Sequence, residues 1–474
     1  MPFNSFEYLI FFLVTFVGSL ALIRLKHARI VLLLLASWFF YISNNTWVFF
    51  ILFASIVIDY FVGIYIEDTE DKRARKRLLL ASVITNLSVL GFFKYSNFFI
   101  DNVKAVAESF GVTAELGVVD ILLPVGISFY TFQSMSYSID VYYREIKAER
   151  SFVNFAFYVS FFPQLVAGPI VRARHFLYQI PWQSPLNIHK IETAIFLICT
   201  GLIKKFVFAD TLGDFSDAAF DSEDALHAFN AWLGLMAFTF QIYFDFSGYT
   251  DVAIGCALLF GFRLPPNFKR PYVAVSFSDF WRRWHISLSS WLRDYLYKPL
   301  GGNRHGSLMT YRNLILVMLF GGLWHGASWT FVLWGALHGT FLAIERLAGF
   351  AKVSVGKGAQ RLSAAERLLR SSVIFLFCAL AWLPFRANSF EDLQRLVSSL
   401  FNFDAPMSLA VGSYVAIGIM LLGYAAQWFG EKVSFKRLYK RSPLLIKTAF
   451  IVLSVLLVIV FSSRGVEPFI YFRF

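Results

Sequence analysis

Apolar runs long enough to cross a membrane recur from end to end of this 474-residue chain, and no single soluble core can bury so many. A helix rises 1.5 Å per residue, so roughly twenty apolar residues cross a hydrocarbon core of about 30 Å. That ruler predicts spans at residues 8–23, 30–42, 47–66, 78–99 and 121–142. Further runs lie at 152–170, 191–209, an interrupted stretch at 228–262, another at 314–344, then 373–385, 414–429 and 444–461. This amounts to about eleven crossings. The composition agrees: 57% of residues are hydrophobic, 19% aromatic and only 16% charged, with a mean hydropathy of +0.60. The expected fold class is an all-α polytopic membrane protein in a lipid bilayer. No basic segment precedes the first run and no A-x-A site follows it, so it reads as a retained helix rather than a cleaved signal peptide.

Basic residues set the orientation. Arg24, Lys26 and Arg29 follow the first run, Lys72, Arg73, Arg75, Lys76 and Arg77 the third, and Arg144, Lys147 and Arg150 the fifth. The intervening loops, 43–46 and 101–120, carry only Lys104. Positive loops stay in the cytoplasm, so the N-terminus is expected outside it. Lys432, Lys436, Arg437, Lys440 and Arg441 precede the last run and send the tail, residues 462–474, outside as well. The net charge of +12 suits loops facing anionic lipid. Nucleic acid is a poor partner for it, because the cations are scattered between spans and not gathered on one soluble domain.

The whole chain reads as a single membrane domain: N-terminal spans in 1–150, a central core in 151–350, C-terminal spans in 371–461 and the tail. Cys199, Cys256 and Cys378 lie in apolar stretches without C-x-x-C spacing and read as small buried hydrophobes, not bridges or metal ligands.

The core is interrupted where the ends are not. YFDFSGYTD breaks the run at 228–262, and one straight helix there carries Asp245 and Asp251 to membrane depth; the other reading is a turn between two spans, with Asp251 near the surface. Pro163, Gly168 and Pro169 break the run at 152–170, and PPNFKRP at 265–271 is irregular by its prolines. Such breaks point to re-entrant or short helices around a cavity.

Two histidines lie in this region. In WRRWHISLSSWLRDYLYKPLGGN, with Ser278 as the expected N-cap, Trp281, Trp284, His285, Leu288, Trp291, Leu292 and Tyr295 recur at helical spacing. That predicts one amphipathic helix at the cytoplasmic boundary with His285 on its apolar face, either packed or functional, and Asp279 paired with Arg283 at i, i+4. His325 stands in LFGGLWHGASW, where Gly321, Gly322 and Gly326 permit close approach of a helix or a ligand. An ionisable ring at that depth marks a candidate site. His338, in GALHG, reads either as a third member or as part of a helix-packing seam with Gly335 and Gly339. The other histidines sit in or beside polar loops.

Taken together, WRRWHISLSSWLRDYLYKPLGGN, YFDFSGYTDVAIG, NFKRPY and LWHGASWTFVLWGALHG resemble the membrane-bound O-acyltransferases, in particular the bacterial branch of the alginate O-acetylation membrane proteins. The resemblance extends over nearly the whole chain, through LLPVGISFYTFQSMSY and LVAGPIVR. It implies a helical bundle around a central tunnel in the bacterial cytoplasmic (inner) membrane, with His325 as the catalytic histidine, His285 as its supporting partner and an acyl donor arriving from the cytoplasm.

That implication makes chemical sense. Moving acetyl from a thioester to a hydroxyl needs a base for the hydroxyl proton, and a neutral imidazole serves near pH 7. The donor expected is acetyl-CoA, used as a substrate, with no permanently bound cofactor and no metal. Lys269, Arg270, Arg282, Arg283, Lys298 and Arg304 are cations near both motifs and candidates for its phosphates.

The tail adds a clue. FIYFRF fits F-x-Y-x-x-F with Phe469, Tyr471 and Phe474, and resembles the C-terminal motif of the small partner in teichoic-acid D-alanylation systems, where the tyrosine serves as a transient acyl carrier. A phenol is a better leaving group than an aliphatic alcohol, so an acetyl on Tyr471 stays activated. The alternative is an aromatic anchor at the membrane interface. The expected function is acetyl transfer, across the membrane and via Tyr471, to an extracytoplasmic SGNH-type serine acetyltransferase that modifies a polysaccharide such as alginate, cellulose or peptidoglycan. D-alanyl transfer to teichoic acid and a non-enzymatic transporter or flippase are the alternatives.

Overall fold

The computed structural model describes residues 5–43, 45–113, 117–118, 123–166, 168–181, 186–222, 226–349, 362–408, 411–462 and 469–470. Among these residues the regular structure is helical throughout, with no strand. The chain divides into two compact units, Met1–Lys190 with Cys256–Pro265, and Ile191–Gly255 with Pro266–Phe474.

The first unit contains α1 (Phe6–Ala21), α2 (Lys26–Ile42), α3 (Thr46–Asp68), α4 (Lys72–Ser109), α5 (Ile127–Tyr142) and α6 (Phe152–Ser160). Asp71 caps α4, its carboxylate accepting from the backbone of Arg73 and Ala74 at 3.0 and 3.1 Å, directly ahead of the basic cluster. Helix α5 begins at Gly126, whose φ of +79° suits glycine and whose Cβ position lies 2.3 Å from the Leu165 carbonyl oxygen, so no side chain fits there. Asp59, fully buried in α3, accepts from Ser82 Oγ at 2.6 Å and Asn86 Nδ2 at 2.9 Å. A carboxylate in this apolar setting is tolerated because neighbouring helices supply its donors. The expected run at 152–170 stops at Ser160: Phe161 is extended, and only a four-residue helix, Phe162–Leu165, follows around Pro163.

The second unit carries α7 (Ile188–Leu202), a π-helical turn (Ile203–Ala209), α8 (Asp210–Phe220), α9 (Ala228–Leu259), α10 (Phe277–Arg283), α11 (Ile286–Leu292), α12 (Gly306–His325), α13 (Trp329–Leu347), α14 (Ala364–Arg386), α15 (Val411–Lys432) and α16 (Leu444–Ser462). Helix α9 runs unbroken through YFDFSGYTD, so the straight-helix reading holds and the interruption expected at 228–262 is absent. Its acidic residues are answered by the π-helical turn: Lys204 Nζ lies 2.6 Å from Asp251, and Lys205 Nζ lies 3.1 Å from Asp245 and 2.8 Å from Asp210. Gly201 and Gly248 let the two backbones meet, since a Cβ on Gly248 would sit 2.7 Å from the Gly201 carbonyl oxygen.

Helices α12 and α13 form a hairpin with a glycine seam. A Cβ on Gly322 would lie 2.2 Å from the Phe331 carbonyl oxygen, and one on Gly335 would lie 2.3 Å from that of Met318. The expected run at 314–344 is thus two helices meeting at His325 and Gly326.

Among the described residues six helices are long and apolar enough to cross a membrane: α3, α4, α12, α14, α15 and the bulk of α16. Some other apolar runs fold into shorter helices, such as the 16 residues of α1. Large apolar side chains of α16, including Leu453, Leu456 and Val460, stay more than half exposed, a surface suited to lipid and not to water. The protein is an all-α, multi-pass membrane protein. All three cysteines are buried and free.

Candidate active site

The histidine segment does not form the single amphipathic helix expected. Helix α10 ends at Arg283, Trp284 is extended, and His285 takes left-handed backbone angles, φ 41° and ψ 54°, before α11 begins. A non-glycine residue held there costs about 1–2 kcal/mol. The irregular NFKRP stretch supports the break: Asn267, fully buried, accepts from Ile286 N through its backbone oxygen at 2.9 Å, and from Ser287 N and Oγ through Oδ1 at 3.1 and 2.8 Å. Lys269 N adds a bond to the Arg283 carbonyl at 2.9 Å. The break turns His285 inward and buries it completely.

Ser276, not Ser278, caps α10, accepting from Asp279 N at 3.0 Å. Ser278 sits in the first turn and donates its hydroxyl to Glu345 of α13 at 2.5 Å. Glu345 also accepts from the backbone of Phe277 and Ser278, placing a carboxylate at the positive end of the helix. The expected Asp279–Arg283 pair forms at 2.9 Å, and Arg283 reaches Glu431 at 2.8 Å.

His325 is the last residue of α12, 5% exposed, at the hairpin tip. Its ring centroid lies 6.4 Å from that of His285, 5.0 Å from Trp324, 5.1 Å from Trp334 and 5.3 Å from Phe385. His285 in turn packs on Phe246 at 4.6 Å and Trp324 at 6.0 Å. His338 is also buried, 4.8 Å from Trp334 and 5.2 Å from Trp281. Trp382 packs between Trp284 at 5.1 Å and Trp334 at 5.8 Å. Both ring nitrogens of His338 and the indole N–H groups of Trp281 and Trp334 are buried without a hydrogen-bond partner among the described residues. Buried polar groups normally have partners, so these orphaned groups mark the cluster beside His325 as unusual for a packed core. Sequence reasoning missed Trp382, Phe385, Asn267 and Glu345.

The six cations separate by environment. Lys269, Arg282, Lys298 and Arg304 are exposed. Lys298 pairs with Asp294 at 2.7 Å; Arg270 lies 3.4 Å from Glu431, and buried Arg283 is engaged by two carboxylates. Within the tail, Phe469 packs on Phe246 at 5.5 Å and Tyr249 at 4.8 Å, and Ile470 N donates to Asp245 Oδ2 at 2.7 Å. Tyr471 and Phe474 lie outside the described residues.

Helices with lipid-suited surfaces and a buried pair of imidazoles define a multi-pass membrane protein with a candidate site at His285 and His325. The profile of the membrane-bound O-acyltransferase family matches residues 4–352, and the chain belongs to that family. It is 43% identical over 436 residues to the probable alginate O-acetylase AlgI of Azotobacter vinelandii, covering 90% of this chain and 83% of the relative. The corresponding protein of Pseudomonas aeruginosa is 41% identical over 433 residues, 90% and 80% of the two chains. A peptidoglycan O-acetyltransferase of Helicobacter pylori is 40% identical over 398 residues, 78% and 73%. The protein is an O-acyltransferase.

Proposed function

We propose that this protein takes acetyl from cytoplasmic acetyl-CoA and exports it, through Tyr471, to an extracytoplasmic serine acetyltransferase that acetylates a polysaccharide. The observation that carries the reading is the buried His285–His325 pair, 6.4 Å between ring centroids within a tryptophan-rich cluster. Relatives named for alginate and peptidoglycan O-acetylation support acetyl as the group and a polysaccharide as the final acceptor.

In this scheme His325 accepts the phenolic proton of Tyr471 as its oxygen attacks the thioester carbonyl. The tetrahedral intermediate collapses with cleavage of the C–S bond, and the coenzyme A sulfur leaves with a proton. His285 orients the donor or polarises its carbonyl. The aryl acetate is then attacked by the partner's serine hydroxyl, which restores the phenol, and the acyl-serine passes acetyl to a sugar hydroxyl. Exposed Lys269, Arg282, Lys298 and Arg304 are the better-suited candidates for coenzyme A phosphates, with Arg270 and Arg283 holding the surrounding fold through Glu431. The setting is the bacterial cytoplasmic membrane, with N-terminus and tail on the far side.

The test is incubation of purified protein with acetyl-CoA labelled in its acetyl group, followed by peptide mass analysis. Label on Tyr471 that disappears in His325→Ala supports the relay. His325-dependent release of free coenzyme A without label on Tyr471 removes the carrier step and leaves acyl transfer intact.

A further inference from the structure

We infer that Asp245, ion-paired to Lys205, is the dock for the C-terminal segment, holding residues 469–470 against the His285 side of the chamber. The Asp245 carboxylate is 2% exposed and divides its oxygens: Oδ1 lies 3.1 Å from Lys205 Nζ and Oδ2 accepts the Ile470 amide at 2.7 Å. A charge-assisted bond to a backbone N–H grips the chain whatever side chain follows. Side-chain selectivity comes from Phe469, which packs on Phe246 and Tyr249. Asp245 and Tyr249 stand one helical turn apart, and Phe246 is the residue whose ring meets His285.

A second observation joins the tail to the other histidine. Ile470 lines a cavity of about 180 Å³ whose wall includes Gln241, Ser328, Thr330, Phe331 and Phe385. Gln241 is 9% exposed and its Oε1 has no hydrogen-bond partner among the described residues, and Phe385 is the ring against His325. The docked segment therefore packs on a ring that meets His285 and shares a cavity with a ring that meets His325. Lys205 is itself held by Asp210, within a π-helical turn, an irregularity that recurs at functional sites. Asp245 is a positioning residue: it touches the segment that precedes Tyr471 by one peptide bond, not the reacting atoms. Its catalytic meaning rests on the tyrosine relay; the docking itself does not.

The test is hydrogen exchange of the C-terminal peptide in the full-length protein, compared among wild type, Asp245→Ala, Asp245→Asn and Asp251→Ala, with acetyl label on Tyr471 measured in the same samples. Losing a bond to a charged acceptor corresponds to at least about a tenfold rise in exchange at Ile470 for Asp245→Ala. Asp245→Asn, which keeps an acceptor oxygen, should retain part of the protection and part of the label. Asp251→Ala removes the neighbouring ion pair on the same helix and should leave Ile470 protected. Unchanged exchange in both Asp245 variants, or an equal rise in Asp251→Ala, overturns the dock. Lost protection in Asp245→Ala with no label on Tyr471 even in wild type upholds the dock and removes the relay.

Discussion

The rings of His285 and His325 meet at 6.4 Å, inclined by 63°, although one sits in a helix break and the other ends a separate helix. Neither helix carries the pair; the junctions do. A pair placed at two chain turns is held by the backbone on both sides.

Removing the proposed base should cut turnover sharply while leaving the fold. His325→Ala is expected to lower acetyl-CoA-dependent transfer by about 10²–10⁴-fold, the usual contribution of a positioned general base. Coenzyme A release, read beside gel-filtration behaviour in detergent, checks it; a well-folded variant with near-normal turnover excludes His325 as the base.

The left-handed backbone at His285 gives a sharper test. His285→Ala and His285→Gly both lose the imidazole and should both lose activity. Glycine relieves the positive φ, so His285→Gly should be the more stable of the two by about 1 kcal/mol, the reverse of the usual order in a helix. Thermal melts of the pair decide it.

Asn267 is expected to act through the break it fastens. Asn267→Ala removes the acceptor for Ser287 N and Oγ and should cost about 1–3 kcal/mol, with activity falling alongside stability. A variant that melts early yet turns over normally at low temperature would detach Asn267 from the placement of His285.

The glycine seam predicts a contrast between two alanine substitutions. Gly335→Ala places a methyl 2.3 Å from a backbone oxygen and should destabilise by about 1–3 kcal/mol by forcing α12 and α13 apart. Gly418→Ala, in α15, meets nothing within 4 Å and should be neutral or slightly stabilising. Equal melting temperatures would show that the hairpin yields at no cost.

Much of this molecule was legible in its residues. Long apolar runs announced the membrane class, and histidines standing in such runs pointed to the chamber. The close approach of Gly335 and Gly339 to α12 fits the packing seam, one of the two readings that GALHG allows. The break at His285 was hidden because Trp281, Trp284, Leu288 and Trp291 keep helical spacing on both sides of it, so periodicity passes through a discontinuity that Asn267 imposes from elsewhere in the chain. The depth of Asp245 and Asp251 stayed open because their partners, Lys204 and Lys205, come from another helix, and pairing between helices leaves no local trace. Trp382 and Phe385 look like any apolar residues of a span; only packing separates a chamber wall from a lipid-facing surface.

The two adjacent lysines of the π-helical turn also bear on how the protein is made. A single lysine or aspartate at mid-membrane disfavours insertion of an isolated helix by about 2.5–3.5 kcal/mol. Lys204 and Lys205 on one strand of the nascent chain, and Asp245 and Asp251 on the next, burden each segment until they meet. Pairing cancels those charges, so the stretch from α7 through α9 enters an apolar setting at lower cost as a pair than as two separate helices. Residues 469 and 470, which follow both segments in the chain, add their bond to a carboxylate that Lys205 already neutralises.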